Sequence, residues 1–305
     1  MSISAASTVV ERRLRSFVDR RSELDEFCRM VDTGDRPILA ISGDTGIGKS
    51  SLLERCVHEC ALRHVRKVEI DFGSIRYNTY LAIMRKVRDE LGVEHFVPLT
   101  DLINYFTKPS YHLQVDVSAG SSIHVSQNVG TVEAGAQVNV AGVVIHDLMI
   151  VEPRTDLSVS EEERVARLTD RFLTDLERLL ATTPVVFFFD HVDKATGDTR
   201  RWLWNELLTP LADGRLAGAR FVLCVREAPK FEEELAQMRG LVAPARLQPL
   251  GLPDITEYLA RREELRIGDA ERERVAEMLL AASKGIPVTV ATFVESFLQI
   301  RRRGD

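Results

Sequence analysis

The stretch Gly43–Ser51 carries the clearest chemical signal in the sequence. It reads GDTGIGKSS, and Gly43, Gly48, Lys49 and Ser50 occupy the fixed positions of the phosphate-binding pattern G-x-x-x-x-G-K-[ST]. Glycines allow backbone N–H groups to surround phosphate oxygens, and the N-terminus of a following helix adds its dipole. The pattern predicts Lys49 on the β- and γ-phosphates of a nucleotide and the Ser50 hydroxyl on Mg²⁺. The predicted nucleotide-binding set is Gly43, Asp44, Thr45, Gly46, Ile47, Gly48, Lys49, Ser50 and Ser51.

A carboxylate at the end of an apolar run supplies the second part of such a site. Phosphoryl transfer needs an acid that holds the metal ion. Asp190 follows the run 185–189, VVFFF, which is typical of a strand buried on both faces of a parallel sheet. The carboxyl ends of such strands face the ligand crevice, so we predict that Asp190 binds Mg²⁺ together with Ser50. The alternative is an aspartate that caps the next helix.

Strand-like and helix-like segments alternate along the chain, which is typical of an α/β domain. The predicted strands are 37–42, 67–72, 185–189, 220–225 and 246–250. The predicted helices are 11–31, 49–64, 79–91, 160–181, 198–212 and 228–239, followed by 253–263, 269–283 and 287–302. We therefore expect a three-layer α/β P-loop domain over residues 1–250 and a small helical lid domain over 251–305.

Residues 111–151 interrupt this alternation. Valines and isoleucines recur at short spacings among Gly, Ser, Ala and Asn, which indicates short strands in hairpins or a β-roll. A low-complexity loop is the alternative. Because unprotected strand edges pair readily, we expect this inserted β element to serve self-association or contact with a partner protein.

Several motifs resemble those of the STAND group of ATPases, which are relatives of the AAA+ class. Residues 17–24, FVDRRSEL, resemble the motif F-V-G-R-x-x-E-L, with Asp19 in place of Gly. Residues 190–193, DHVD, resemble the Walker B form with a second acid, and 222–226, VLCVR, resemble a strand ending in Thr-x-Arg. Residues 285–287, GIP, resemble the G-x-P motif, and 247–252 resemble the linker between the two domains. The resemblance covers most of residues 12–300 outside the insert.

The resemblance implies a parallel sheet of order 5-1-4-3-2, with ATP or ADP bound between the sheet domain and the helical domain. It implies that Arg226 contacts the γ-phosphate, that Pro287 lines the adenine side and that Arg20 touches the base or ribose. Two alternatives remain open from the residues themselves. Arg226 could be a surface arginine paired with Glu227 or another carboxylate, and Arg20 could be a solvated helix arginine.

Two departures from the family pattern concern hydrolysis. The AAA+ pattern has Glu directly after the Walker B Asp, where this chain has His191, and Lys194 stands where the STAND pattern often has an acid. The remaining candidate for orienting the attacking water is Asp193, with Asp190 and Arg226 as the other catalytic residues. We expect slow hydrolysis, which favours a switch over a motor.

Composition limits the class of partner and the compartment. The 305 residues are 45% hydrophobic and carry a net charge of −6, which argues against recruitment of nucleic acid by a global basic field. The sequence has neither an apolar run long enough to span a membrane nor the apolar segment of a signal peptide, and we expect a cytoplasmic protein. Cys56, Cys60 and His64 share a helix face and could bind zinc, but a helix packed on a sheet uses Cys as a small apolar residue.

Three functions are compatible with these observations. The leading hypothesis is a nucleotide-dependent switch that controls assembly, or a separately encoded effector or sensor, in signalling or defence. The second is a DNA-associated AAA+ ATPase of the initiator or transposition-helper type. The third is a nucleotide-binding scaffold that does not turn over.

Overall fold

The computed structural model describes residues 17–107, 159–227, 238 and 240–304, together with the strand segments 112–117, 121–126, 138–140 and 143–145. Contacts divide the chain into two compact units. One comprises the chain up to Gly92 and from Leu176 onward, and the other comprises Val93–Asp175. Among the described residues, no helix combines the length and the apolar character that crossing a membrane requires.

The secondary structure alternates between strands and helices, as the sequence predicts. The strands are β1 (Ile38–Ser42), β2 (Arg66–Asp71), β3 (His112–Val117), β4 (Ser121–Ser126), β5 (Val138–Val140), β6 (Val143–Ile145), β7 (Val185–Asp190), β8 (Ala219–Val225) and β9 (Val242–Arg246). The α-helices are α1 (Arg21–Thr33), α2 (Lys49–Leu62), α3 (Tyr80–Leu91), α4 (Val97–Thr107), α5 (Glu161–Leu180), α6 (Gly197–Trp202), α7 (Leu252–Ala260), α8 (Asp269–Ser283) and α9 (Pro287–Gly304).

Five strands form one parallel sheet of order β2-β7-β8-β1-β9. Numbered among themselves, these strands have the order 5-1-4-3-2, which confirms the expected topology. The order places β1, and the phosphate loop that follows it, between β8 and β9. It also makes β2 and β7 neighbours, with Asp71 in register with Asp190. The carboxyl ends of the sheet thus gather the residues that carry the motifs.

Both faces of this sheet are apolar. One cluster joins α1 and α2 to the sheet, and its buried members include Phe27, Leu52, Leu39, Phe188 and Val222. Because side chains alternate along a strand, Phe187 and Phe189 point to the opposite face. There the rings of Phe187 and Phe221 stack with centroids 5.1 Å apart. Each such buried side chain stabilises the fold by about 2–3 kcal/mol, so the site rests on a rigid platform.

Helices α7, α8 and α9, here called the C-terminal helices, have an apolar cluster of their own. Its members include Ile255, Leu259, Val290 and Val294, and Val18 from the N-terminal segment packs into it. The connector, defined as residues 247–251, runs from β9 into α7. Leu247 N–H donates to Ser42 O at 2.8 Å, and Leu250 N–H donates to Gly285 O at 2.8 Å. The connector is therefore bonded to β1 at one end and to the segment before α9 at the other.

The second unit contains the two hairpins and helix α4. Strands β3 and β4 pair antiparallel, as do β5 and β6, which confirms hairpins within 111–151; the remaining residues of that range lie outside the described part. The rings of Phe96 and Phe172 stack with centroids 6.2 Å apart, and Leu99 N–H donates to Asp175 Oδ2 at 3.2 Å. Helix α4 was not predicted, since it is short and lies beside the insert.

Some predicted boundaries were wrong. Helix α1 begins at Arg21, because Asp19 and Arg20 have φ of 61° and 65° and cannot continue a helix. The fifth strand is 242–246 rather than 246–250, since its two alanines and one proline give little strand signal. The helix predicted at 198–212 is divided into α6, a π-helical turn (Leu203–Leu208) and a 3₁₀ turn at Pro210. The helix predicted at 228–239 lies outside the described residues except for Met238.

Candidate functional site

The phosphate loop leaves β1 at Ser42 and enters α2 at Lys49. Gly46 and Gly48 have φ of 83° and 100°, a region that L side chains rarely adopt. Gly43 N–H donates to Arg226 O at 3.1 Å, so the start of the loop is bonded to the residue that follows β8. Asp44, Thr45 and Ser51 are exposed and Ile47 is buried in the core. The loop thus has the glycine-dependent backbone shape that its sequence predicts.

The two polar side chains of the loop have defined partners. Lys49 Nζ donates to Gly43 O at 2.6 Å and to Asp44 O at 2.9 Å. Ser50 Oγ donates to Asp190 Oδ2 at 2.8 Å. The structure therefore brings Ser50 and Asp190 together, as expected for two groups that share a metal ion.

Two residues that the sequence analysis did not select surround Asp190. Its Oδ1 accepts a hydrogen bond from His191 N–H at 2.8 Å, and the His191 ring Nδ1 lies 2.9 Å from Asp71 Oδ1. Among the described residues, Asp71, Asp190 and His191 form the one group of three potential metal ligands with close donor atoms. His191 has φ of 53°, and this left-handed turn ends the strand. The Walker B end is thus a linked set of two carboxylates and an imidazole.

Asp71 could have been found from the sequence. It is the last residue but one of the second predicted strand, Asp190 directly follows the third, and strands 2 and 3 are neighbours in the order 5-1-4-3-2. Carboxylates at the ends of neighbouring parallel strands must lie close together. His191 was noticed only as a departure from the family pattern, and its contact with Asp71 had no sequence signal of its own.

Asp193 lies beside Arg226. Arg226 Nε is 3.6 Å from Asp193 Oδ2, and the two side chains are 62% and 30% exposed. Asp193 belongs to a short 3₁₀ turn (Val192–Lys194). Among the described residues, the carboxylate that lies close to Asp190 and His191 is Asp71 rather than Asp193. Arg226 is thus an exposed arginine paired with the Asp193 carboxylate, which agrees with the alternative of a surface arginine paired with Glu227 or another carboxylate.

Arg20 is buried, with a side chain only 7% exposed. Its Nη2 donates to Gln248 O at 2.5 Å and to Ile47 O at 3.3 Å. Its Nη1 lies 3.0 Å from Asp19 Oδ2. The alternative of a solvated helix arginine is therefore wrong, because the residue precedes α1 and its guanidinium is enclosed.

The first turn of α9 lies against the phosphate loop. Val288 N–H donates to Gly46 O at 3.2 Å. A Cβ on Gly46 would lie 2.4 Å from Val288 Cγ1, and a Cβ on Gly48 would lie 3.9 Å from Pro287 Cγ. Pro287 is therefore placed at the loop, and Val288, which was not predicted, makes the closer contact. Only glycine at position 46 allows this approach.

The alternative of a zinc site formed by Cys56, Cys60 and His64 is wrong. Cys56 and Cys60 are fully buried in the core, and within the described part of the chain they do not join His64 in a metal-ligand group. Burial raises the pKa of Cys60 to about 12, and burial also raises the pKa of Cys56. Both thiols instead pack in the apolar cluster between α2 and the sheet, as small apolar residues.

Comparison with known proteins agrees with this geometry. The family model described as an AAA ATPase domain matches residues 16–217. No curated protein gives a sequence match.

Among solved structures, Cdc6p from Pyrobaculum aerophilum superimposes with a TM-score of 0.51 at 12% identity, over 96% of this chain and 66% of that chain. Orc1 from Aeropyrum pernix in complex with DNA gives 0.44 at 14% identity, over 96% and 65%. Drosophila ORC bound to DNA gives 0.41 at 12% identity, over 97% and 67%. The chain thus spans slightly less than two thirds of the length of the two archaeal chains. At 12% identity, the likeness to Cdc6p concerns the fold alone. The family model, in contrast, matches well over half of the sequence, and the chain belongs to the AAA ATPase domain family.

Proposed function

We propose that the chain is an ATP-dependent switch with slow hydrolysis, in which the nucleotide sets the position of the C-terminal helices. The observation that carries this proposal is the hydrogen bond from Val288 N–H to Gly46 O, 3.2 Å long. A loop that holds phosphates in its backbone cannot rearrange without affecting a helix bonded to that backbone. Binding at the loop and the position of α9 are therefore linked, and linkage of this kind is the basis of a switch.

Lys49, Ser50 and Asp190 are the residues proposed to hold MgATP. The Ser50 hydroxyl and the Asp190 carboxylate are hard oxygen ligands, which Mg²⁺ prefers, and their oxygens are 2.8 Å apart. Mg²⁺, when bound, supplies charge neutralisation at the phosphate oxygens. Lys49 supplies a further positive charge to the phosphates, and its mobile ammonium can exchange the loop carbonyls for them.

Asp193 and Arg226 are the proposed hydrolytic pair. Their contact at 3.6 Å allows Asp193 to orient water and Arg226 to contact the γ-phosphate from one position beside the loop. The Arg226 side chain is largely exposed, the Asp193 side chain is partly exposed, and no Glu follows Asp190. Since transition-state stabilisation is strongest when charged groups are enclosed and preorganised, this arrangement supports slow turnover.

Gly46→Ala tests the contact between the loop and α9. The new Cβ would lie 2.4 Å from Val288 Cγ1, so α9 must move away, and we expect the affinity for MgATP to fall about tenfold, a typical coupling magnitude. Calorimetry measures this affinity. Gly214→Ala is the matched control, because Gly214 has φ of 75° and nothing within 4 Å of its Cβ.

The double variant Gly46→Ala, Val288→Ala removes the clash with Val288 but keeps an alanine at φ of 83°, so we expect it to regain only the part of the affinity that the clash removed. A double variant as weak as the single one would show that the loop, and not its contact with α9, was damaged. The switch proposal would then lose its main support.

We further propose the STAND type of organisation within the family. The sheet domain is assigned to residues 1–250 and the lid domain to 251–305, with residues 111–151 as an element for self-association or for a separately encoded effector or sensor. The motifs quoted from the sequence support this assignment, as does the separate apolar cluster of the C-terminal helices. A cytoplasmic location is proposed from the four free cysteines, which suit a reducing compartment.

Excision of residues 112–145, closed by a Gly-Ser bridge, is expected to leave a folded core that binds ATP. The segment comprises the strands β3–β6 and contains none of the nucleotide motifs. Self-association or partner binding should weaken, as measured by light scattering and copurification, while ATP titration stays unchanged. Loss of the core fold would show that the segment is part of the ATPase core.

The alternative is a DNA-associated AAA+ ATPase, a class suggested by the DNA named for two of the similar structures. A mobility shift on duplex DNA that weakens steeply with salt would favour the alternative. The switch proposal predicts no shift at physiological salt, with or without ATP.

A further inference from the structure

Arg20 joins two elements that are far apart in sequence. One amino group, Nη2, donates to the carbonyl of Ile47 in the phosphate loop and to the carbonyl of Gln248 in the connector. The other, Nη1, is paired with Asp19 at 3.0 Å. Since the side chain is only 7% exposed, these contacts are enclosed and little weakened by solvent.

The segment around Arg20 also reaches the C-terminal helices. Val18 is buried in their apolar cluster, and the Phe17 carbonyl accepts a hydrogen bond from Arg261 Nη1. The connector in turn is bonded to the segment before α9 through Leu250 N–H and Gly285 O. Arg20 therefore stands where the phosphate loop, the connector and the packing of the C-terminal helices meet.

A buried arginine with two carbonyl partners is held in a geometry that its planar fork makes rigid. Displacement of the Ile47 carbonyl, which belongs to the loop that receives phosphate, displaces the guanidinium. Displacement of the guanidinium in turn moves or releases Gln248. The backbone at Arg20, with φ of 65°, is in the left-handed region, so this conformation is maintained by the contacts around it.

We propose that Arg20 is a positioning residue that couples the phosphate loop to the C-terminal helices, acting through the carbonyls of Ile47 and Gln248 rather than by touching the nucleotide. The inference rests on the proposed function, because it concerns how nucleotide binding reaches the lid. It assigns to Arg20 a role distinct from the base or ribose contact that the sequence resemblance implies.

Arg20→Lys is the test, because lysine keeps the charge and loses the fork. Arg220→Lys is the matched control. Arg220 is a half-buried arginine that donates to the carbonyls of Met30, Ala217 and Ala219, and it lies near the start of β8, at the opposite end of the strands from the phosphate loop. Both variants lose a carbonyl-binding guanidinium, so a purely structural effect should be similar in the two.

Two measurements on the full chain separate coupling from stability. Calorimetry gives the MgATP affinity, and hydrogen exchange gives the protection that MgATP adds to the amides of α9. For Arg20→Lys we expect about a tenfold loss of affinity and loss of the added protection, in line with typical coupling between sites. For Arg220→Lys we expect both to match the wild type, even where its melting temperature falls equally.

If the Arg20→Lys variant matches the Arg220→Lys variant in both MgATP affinity and added protection, the proposal is overturned. A large loss of affinity with full added protection in α9 would also overturn it, since Arg20 would then be a direct nucleotide ligand. A wild-type chain that binds no MgATP would instead contradict the proposed function itself, so the two failures are distinguishable.

Discussion

Lys49→Ala is expected to lower the affinity for MgATP by at least about 10²-fold, the effect of removing one partner of a close charge pair between two binding molecules. In the structure Lys49 Nζ lies on the carbonyls of Gly43 and Asp44, directly at the loop that would receive the phosphates. Its side chain makes no contribution to the apolar core, so the fold should remain. Calorimetry gives the affinity, and circular dichroism and the melting temperature report the fold.

Lys67→Ala is the control for Lys49→Ala. Lys67 lies on β2 and pairs with Glu69, away from the phosphate loop. Its loss should leave nucleotide affinity unchanged. Wild-type affinity in a folded Lys49→Ala variant would contradict the assignment of the phosphate loop.

Asp193→Asn is expected to keep the affinity for MgATP within a few-fold and to lower single-turnover hydrolysis by about 10²-fold or more, the usual effect of losing a proton-handling residue. Asp190→Asn should also impair Mg²⁺-dependent binding, because Asp190 Oδ2 accepts the Ser50 hydroxyl at 2.8 Å. The wild type itself should turn over more slowly than the median enzyme rate of about 10 per second.

Two controls show whether Asp193 acts on water or only through its neighbour. Asp198→Asn changes a carboxylate five residues further on that is 90% exposed and lies 3.8 Å from Arg201 Nη1, and this variant should hydrolyse ATP normally. Arg226→Gln removes the partner of Asp193. If Asp193 only holds Arg226, then Asp193→Asn, Arg226→Gln and the double variant will lose the same amount. Equal rates for the wild type and Asp193→Asn would assign the water to another group.

Much of the sheet and the phosphate loop could be predicted because their signals are local. A fixed glycine and lysine spacing indicates the loop, and the run 185–189 is typical of a strand in the middle of a parallel sheet, where the structure has it. The contact of Ser50 with Asp190 followed from these two signals, since β7 and the phosphate loop end at the same edge of the sheet. The strand order 5-1-4-3-2 was predicted from the family resemblance, and the sheet of the structure has this order.

The contacts that join distant segments could not be predicted in the same way. The burial of Arg20 depends on the carbonyls of Ile47 and Gln248. Because every residue has a backbone carbonyl, residue types do not indicate which carbonyl an arginine will bind. The approach of Val288 to Gly46 depends on how α9 is packed, which one chain's hydrophobic pattern does not determine. The last strand was misplaced because Pro244 and two alanines carry little strand propensity.

The most direct test of the switch is hydrogen exchange at the first turn of α9 in two nucleotide states. Asp193→Asn, which should bind ATP without consuming it, is compared in MgATP and in MgADP. We predict that the amides at the start of α9, beginning with Val288, are protected to different extents by the two nucleotides, because the loop that binds the nucleotide is bonded to this turn through Gly46 O. Identical protection in MgATP and MgADP, with both nucleotides bound, would contradict it.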